Sequence, residues 1–455
     1  MAKQPKQTRD PLQLAVINQH TAGIDVGSML MMVSYTDASG NQCLLETDGF
    51  THSIDVLAKT LQQAGVTDAA MEATGVYWMS LYEVLEQHGI TVTLVNPRHF
   101  KNVGAQKTDV KDCQWLHQLH AHGLLRASHI APELFRELKD YLHERNILQQ
   151  QKSDTLNRMH RILTKMNIKV QHVISDMEGV TGMILLRAIA EGESNPAKLV
   201  SLIDPKKLKA TEESLLQSLK GVYKKQSVSI LQHALKAYDF YKGEMRQYEL
   251  LIEEVLQQIL PEDAEGNKKE IVKKKGLVRK NQYSINLKDY LKEILGTDAT
   301  EIPGLDEISI LEIIAVTGIN MNKWPTADHF ASWLNLSPSP KVSGGKLLGH
   351  QKKFTNNRAT QMFRMAAQTM WQNKGKLGAL YKRLSAQKGS KKAIKAVARK
   401  LAVIFYNVVI RKTPFDSSKI NRNDTGQQEK REMARLRRKA AEMGYVLQHI
   451  EPTSL

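Results

Sequence analysis

Residues Thr21 to Asp37 read TAGIDVGSMLMMVSYTD, and this stretch decides the fold. It is rich in β-branched and apolar residues and contains no proline, so we predict one β-strand across it. Because side chains alternate between the two faces of a strand, Asp25 lies on the face opposite Ile24 and Val26. An acidic side chain inside an apolar strand is unusual, and it indicates a functional role.

Three further acids follow in contexts that place them near the same site. Residues 68–74 (DAAMEAT) predict a second strand with Glu72 at its carboxyl end, the edge where ligand sites collect in open α/β sheets. Residues 91–95 predict another strand, and KTDVKDCQWLHQLH then takes helical spacing. Asp109 and Asp112 are three positions apart on this helix and therefore share a face.

Carboxylates that converge in one fold are typical of a divalent-metal site. Each pair repels by roughly 4 kcal/mol at about 4 Å and an effective dielectric of about 20, so a cluster persists only with cations bound. Separately each motif is weak, since GIDVGS also occurs in phosphate-binding turns and an acid pair at this helical spacing is usually solvated. Together they predict a site for Mg²⁺, which prefers hard oxygen ligands.

The positive charge of the chain is concentrated in one segment. The net charge is +17, and residues 329–415 contain 18 Lys or Arg and no Asp or Glu. Such a block predicts contact with phosphate backbones. A disordered tail is disfavoured because apolar residues recur at helical spacing, and a membrane surface is disfavoured because no lipidation motif flanks the block.

Composition indicates a globular protein of the cytoplasm. A chain of 455 residues with 42% apolar content has room for two or three domains. The only cysteines, Cys43 and Cys113, lack metal-ligand spacing and suit a reducing compartment. The first 13 residues are too polar for a secretory signal, and the apolar run at 401–410 is too short to span a membrane, so we expect a buried helix end there.

Several motifs together resemble a known family. They are GIDVGS, MEATGVYW, NPRHFKNVGAQKTDVKDCQWLHQLHAHGLL, IPGLDEISILEIIAVTG and LNLSPSPKVSGGKLLGH. The chain resembles the RuvC-like DEDD insertion-sequence transposases, which are recombinases guided by a bridge RNA. GVTGMILLRAIAEGESNPAKLVSLIDP and RLRRKAAEMGYVL are similar to the subgroup with a long central region. The resemblance extends from about Thr21 to Leu447.

The resemblance implies an α/β plus α fold. Residues 18–130 would form an RNase H-like (RuvC-like) metal-binding catalytic domain, and residues 131–299 a helical coiled-coil and linker region. Residues 300–415 would form a mostly helical, serine-containing transposase domain that binds DNA and RNA and carries a helix-hairpin-helix-like element. Residues 416–455 would form a basic helical tail.

The resemblance also implies a nucleophile. Ser343 lies in PSPKVSGGKLLGH, where prolines and paired glycines predict a loop without regular structure. In the family, the serine of this SG motif attacks a DNA phosphate, and Ser343 matches it. Gly344 and Gly345 would let backbone amides approach the nucleic acid, and Lys341 and Lys346 would neutralise it. QKKFTNNRATQMFR occupies the place of a basic loop of the family, without the glycine that usually precedes its asparagine.

The middle of the chain predicts long amphipathic helices. Apolar residues recur from Glu133 to Val170 with charges between them, and helical periodicity continues over residues 204–261. The first segment suits either a coiled-coil arm or a helical hairpin within one chain. The family uses such arms to form homo-oligomers, and we expect a dimer or tetramer.

The resemblance therefore implies a transposase that cleaves and rejoins donor and target DNA with a bridge-type RNA as guide. Its catalytic residues would be Asp25, Glu72, Asp109, Asp112 and Ser343. A RuvC-like nuclease or junction resolvase acting through activated water is the main alternative, and it has no use for Ser343. A sugar-kinase or actin-type ATPase would need further glycine-rich nucleotide turns that the sequence lacks, and a non-catalytic RNA-binding scaffold would keep the acids by accident.

Overall fold

The chain divides into two units, Met1–Ile130 and Ala131–Leu455. The structure is a computed structural model that describes residues 15–73, 75–96, 108–204, 210–272, 281–338, 340–350, 357–420 and 425–446.

The first unit is built on a mixed five-stranded sheet. Its strands are β1 (Thr21–Val26), β2 (Leu30–Thr36), β3 (Gln42–Asp48), β4 (Asp68–Glu72) and β5 (Thr91–Val95). They lie in the order β3-β2-β1-β4-β5. β1 pairs antiparallel with β2 and parallel with β4, while β2 and β3 pair antiparallel and β4 and β5 pair parallel. The carboxyl ends of β1 and β4 therefore meet at one edge.

The prediction of a single strand from Thr21 to Asp37 is wrong, because this stretch forms the β1–β2 hairpin. The chain reverses just after Val26, where the Gly27 amide donates to the Leu30 carbonyl oxygen at 3.0 Å. A Cβ on Gly27 would lie 2.5 Å from that oxygen, so the tight turn requires glycine. Both arms are apolar, and hydropathy alone does not reveal the reversal.

Helices cover both faces of the sheet. They are α1 (Thr51–Gln63), α2 (Trp78–Gln87) and α3 (Asp109–Ala121). Ile24 and Met71 are fully buried in one core with Leu57 of α1 and Leu81 of α2. Helix α3 covers the other face, where Leu116 packs on the sheet. The predicted strands at 68–74 and 91–95 and the predicted helix at Asp109 are confirmed in position.

The second unit contains a long antiparallel helix pair. Its first helices are α4 (Glu133–Lys165), α5 (Val180–Ala190), α6 (Pro196–Ser201), α7 (Glu212–Ser218) and α8 (Lys225–Ile259). The amino-terminal half of α4 and the carboxyl-terminal half of α8 share one core. Their opposite halves share a second core with α5 to α7. The segment from Glu133 is thus one long helix that packs along α8 of the same chain, and oligomer formation through it stays a prediction.

A buried ion pair connects α4 to α8. Arg145 donates to Glu249 Oε1 from Nη2 at 2.6 Å and from Nε at 3.0 Å, and its guanidinium lies 3.7 Å from the centroid of the Tyr283 ring. Glu249 Oε2 accepts from the amide and hydroxyl of Ser284 at 2.9 and 2.6 Å. The charges are therefore paired and hydrogen-bonded, as a buried salt bridge requires.

The rest of the second unit is mostly helical with one small hairpin. Its elements are α9 (Leu287–Leu295), α10 (Glu307–Thr317), α11 (Ala327–Trp333), β6 (Pro340–Ser343), β7 (Lys346–His350), α12 (Arg358–Thr369), α13 (Lys376–Lys388), α14 (Ser390–Arg411) and α15 (Thr425–Glu442). The apolar run at 401–410 lies in α14, where Leu401 and Phe405 are fully buried, which confirms the prediction. No helix in the described parts of the chain is long and apolar enough to cross a membrane.

Candidate active site

Asp25 and Glu72 lie side by side on neighbouring strands. The parallel register pairs Ile24 of β1 with Met71 of β4, so the following residues, Asp25 and Glu72, are also neighbours. Ile24 and Met71 point into the core beneath α1 and α2, and alternation turns both acids to the face covered by α3. Adjacent strands are about 4.8 Å apart. Glu72 is only 6% exposed and Asp25 is half-buried.

Gly23 allows α3 to pack closely against this face of β1. A Cβ on Gly23 would lie 2.3 Å from the His117 backbone nitrogen and 2.5 Å from the Cys113 carbonyl oxygen. Glycine inside a strand often marks such a close backbone approach. Gly23 and Asp25 are two residues apart on one strand, so the face that contacts α3 is also the face that carries the acid.

The direction of α3 places its first turn at the edge that carries Asp25. The Ile17 amide, just before β1, donates to the Ala121 carbonyl oxygen at the end of α3 at 2.8 Å, whereas the charge of Asp25 acts on Cys113 near its start, so α3 runs antiparallel to β1. Burial, mainly, and the Asp25 charge raise the pKa of the Cys113 thiol to about 11. The amino end of the helix therefore lies beyond Cys113, toward the carboxyl ends of β1 and β4.

Asp109 and Asp112 occupy that first turn. Thr108 caps the helix by accepting a hydrogen bond from the Lys111 amide at 3.3 Å. Asp109 is exposed and Asp112 is half-buried, and Asp112 also contributes to raising the pKa of Cys113. Carboxylates in a first turn are stabilised by the helix dipole, which offsets part of their mutual repulsion.

The fold thus makes Asp25 and Glu72 neighbours on one face of the sheet and places the helix turn that carries Asp109 and Asp112 at the same edge. All are carboxylates, the donor type that suits a hard divalent cation. Among the described residues, no three His, Cys, Asp or Glu side chains are close enough together to hold a metal ion. Joint coordination by three of these acids therefore requires them to approach one another further.

His117 is a supporting residue that the sequence did not identify. Its ring, 4% exposed, lies 3.0 Å from Ser34 Oγ through Nδ1 and 3.2 Å from Thr36 Oγ1 through Nε2. Burial, together with neighbouring His120, lowers the pKa of His117 to about 4, so the neutral ring links β2 to α3. Its helical spacing from the apolar residues Cys113 and Leu116 was the signal in the sequence that could have placed it on the buried side of α3.

Ser343 lies at the tip of a β-hairpin, so the prediction of an irregular loop is wrong. It ends β6 and pairs with Lys346 of β7. Gly344 and Gly345 form the two-residue turn with φ of 53° and 76°, the sign that a type I′ turn requires at both positions. Ser343, Lys341 and Lys346 are all exposed.

The turn of the predicted helix-hairpin-helix-like element packs closely against α12 and the residue that follows it. Gly304 has a φ of 84°, and a Cβ there would lie 2.8 Å from the carbonyl oxygen of Ala366 in α12. Asp306 caps α10 by accepting from the Ser309 amide at 2.8 Å. Contact of this turn with a sugar-phosphate backbone stays a prediction. In the adjoining basic loop, Lys352 and Lys353 lie outside the described residues.

Family models match both units. A transposase model of the DEDD type, DEDD_Tnp_IS110, matches residues 22–168, and a model described as transposase IS116/IS110/IS902 family matches residues 297–382. Together they match about half of the chain. The chain belongs to the IS110 family of transposases. No curated protein matches this transposase.

The family accounts for the coarse features of the site. An IS110 transposase acts on DNA, and its DEDD domain implies an RNase H-like fold, to which the mixed sheet and flanking helices conform. Transposase domains of the DEDD type generally use divalent metal ions. The first match includes all four acids, and the second includes the Ser343 hairpin.

Proposed function

We propose that this transposase cleaves and rejoins DNA strands with a bound Mg²⁺ and a serine nucleophile. Asp25, Glu72, Asp109 and Asp112 would hold the metal, and Ser343 would attack the scissile phosphate. The observation that carries the proposal is the register of β1 and β4, which puts two strand acids side by side beneath the helix that begins with the other two.

The acids need a cation in order to lie together, and DNA phosphates need one at the same place. When bound, Mg²⁺ would stabilise negative charge on the reacting phosphate and lower the pKa of a coordinated hydroxyl. Glu72 is the most buried of the four, so it would offer a bound cation the ligand that is best shielded from solvent. Asp109 and Asp112 lie at the more accessible start of α3, and we propose that DNA and metal reach the site from that side.

The exposure of Ser343 at the tip of the β6–β7 hairpin supports its role as the nucleophile. The Ser343 Oγ would form a bond to phosphorus while its proton passes to a base or solvent. The bond from phosphorus to the oxygen of the departing strand would break, and that oxygen would take up a proton. The resulting phosphoserine link conserves the bond energy, so the strand can be rejoined to a new partner without external energy. Lys341 and Lys346 flank the serine, and their charges would hold the phosphate.

We propose that a structured bridge RNA selects the DNA sites. Base pairing would read the sequence, while the protein contacts backbone and shape. The basic segment at 329–415 supports this assignment, because its charge suits phosphates of either nucleic acid. We further propose a cytoplasmic homo-oligomer, a dimer or tetramer, and membership of the subgroup with a long central region.

Variant proteins, purified together with their bound nucleic acid, test the chemistry on a labelled duplex that carries the ends of the insertion sequence. Wild-type protein should leave a covalent protein–DNA adduct on a denaturing gel, and Ser343→Ala should abolish both adduct and cleavage. Ser332→Ala, an exposed serine of α11, is the matched control. Cleavage that survives in Ser343→Ala would establish the water-dependent nuclease instead.

The acids have a matched control on the same strand. We expect Asp25→Asn and Glu72→Gln each to lower cleavage by several orders of magnitude. Asp68→Asn changes an acid at the opposite end of β4 and should retain activity. Sequencing of nucleic acid bound to the purified protein tests guidance: a specific structured transcript supports it, and a random mixture contradicts it.

A further inference from the structure

Arg358, the first residue of α12, is held by a buried carboxylate of α10. Its Nη2 donates to Glu312 Oε1 at 2.9 Å, and Asn146 of α4 donates to the same oxygen at 2.7 Å. The other terminal nitrogen, Nη1, donates to Gln361 at 3.2 Å. Three helices thus contribute to fixing this one guanidinium.

The exposure of this ion pair is unlike that of the structural pair in the same unit. In the Arg145–Glu249 pair, both side chains are buried, at 3% and 7% exposed. In the Arg358–Glu312 pair, Glu312 is 5% exposed but Arg358 is 42% exposed. The buried acid therefore holds the inner side of an arginine whose remainder is open to solvent.

This arrangement is costly as a purely structural device. A buried carboxylate loses its hydration, which a half-exposed partner compensates only in part. In addition, a cation at the start of a helix opposes the helix dipole. Arg358 also belongs to the segment that contains 18 Lys or Arg and no acid, so its partner has to come from outside that segment.

We propose that Arg358 binds a phosphate of the DNA backbone and that Glu312, braced by Asn146, positions its guanidinium for that contact. The planar fork can bond to a carboxylate with one nitrogen and to a phosphate with the others. Gln361 is neutral and exposed, so a phosphate oxygen can displace it from Nη1 without separating two charges.

The inference depends on DNA binding by a transposase and not on the acid cluster or on Ser343. Its test is therefore carried out in EDTA, without cleavage. Full-length protein is titrated onto a fluorescent 30-base-pair duplex of mixed sequence across a series of NaCl concentrations. Removal of one phosphate contact should reduce the slope of log affinity against log salt by about 0.9.

Arg358→Ala should show this reduction, whereas Arg358→Lys should keep the slope and bind less tightly, because an ammonium cannot bridge carboxylate and phosphate. Arg187→Ala, which removes the exposed partner of Asp239 outside the basic segment, should change neither quantity. An unchanged slope for folded Arg358→Ala would overturn the proposal. A reduction seen with an RNA duplex but not with DNA would also overturn it.

Glu312→Gln distinguishes positioning from simple structural support. The amide keeps the shape of the side chain but removes its charge, so we expect DNA affinity to fall by about threefold to tenfold with the slope retained. In the Arg358→Ala background, the same substitution should have no further effect on affinity, because the group that it positions is absent. An equal loss in both backgrounds would show that Glu312 acts on DNA binding independently of Arg358.

Discussion

Substitution of Gly23 by alanine should separate α3 from β1 and disturb the acid cluster without changing any acid. The new Cβ would lie 2.3 Å from the His117 nitrogen and 2.5 Å from the Cys113 oxygen, where ordinary contacts are 3.4–4 Å. Both are backbone atoms, so rotation of a side chain cannot relieve the overlap. Helix α3 would have to withdraw by about 1 Å, which typically destabilises a core by about 1–3 kcal/mol.

The expected loss can be measured in two ways. For a unit of this size, 1–3 kcal/mol corresponds to a fall in Tm of roughly 4–12 °C. Displacement of catalytic groups by about 1 Å can cost about 100-fold in rate, so DNA cleavage should fall far more than the folded fraction does. Cleavage is measured well below the Tm of the variant, with folding monitored by circular dichroism.

Gly243→Ala is the matched control. Gly243 lies on the exposed side of α8, and a Cβ there meets nothing within 4 Å. This variant should keep full activity and gain up to about 1 kcal/mol from the better helix propensity of alanine. A Gly23→Ala protein with wild-type Tm and wild-type cleavage would refute the argument that close packing of α3 holds the acids in place.

Three further predictions address other parts of the structure. Glu249→Ala should lower the free energy of unfolding by about 3–5 kcal/mol because it leaves Arg145 buried and unpaired, while Arg145→Met with Glu249→Leu should lose much less in urea unfolding. Burial lowers the pKa of His117 to about 4 from an unfolded value near 6.5. The neutral ring therefore stabilises the folded state fully above about pH 6.5, and this stabilisation is lost as the pH falls toward 4. In His117→Gln, the difference in Tm between about pH 7.5 and pH 5 should shrink. Gly344→Asn should preserve the hairpin turn and DNA cleavage, whereas Gly344→Val should abolish cleavage, since a β-branched residue disfavours a φ of 53°.

Local signals in the sequence predicted most elements that position the acids. The strand ending at Glu72 and the helix starting at Asp109 are bounded by Gly75 and by a Thr108 cap, respectively, which act within a few residues. The β1–β2 reversal was missed because its turn lies between two equally apolar arms. The Ser343 loop was misjudged because paired glycines interrupt a strand pattern, yet at positive φ they also close a hairpin.

Contacts between residues that are far apart in the sequence could not be predicted from the hydrophobic periodicity. Arg145 and Glu249 are separated by 104 positions, and Asn146 and Glu312 by 166. Each of these residues lies on a helix whose periodicity describes only its own faces. Neither the pairing of α4 with α8 nor the brace beneath Arg358 follows from such periodicity, because both depend on how separate helices pack.

The sign of the charge differs between the two units, and this separates two properties of the transposase. Residues 1–130 carry 9 Lys or Arg and 12 Asp or Glu, whereas the segment 329–415 carries only cations. A phosphate backbone is repelled by the first and attracted by the second. Substitution of an acid such as Asp25 should therefore remove chemistry while DNA affinity measured in EDTA is kept or slightly increased. Substitution of Arg358 should weaken DNA binding while metal binding is unchanged. If both kinds of variant lost both properties together, the assignment of metal and phosphate binding to separate groups of residues would be untenable.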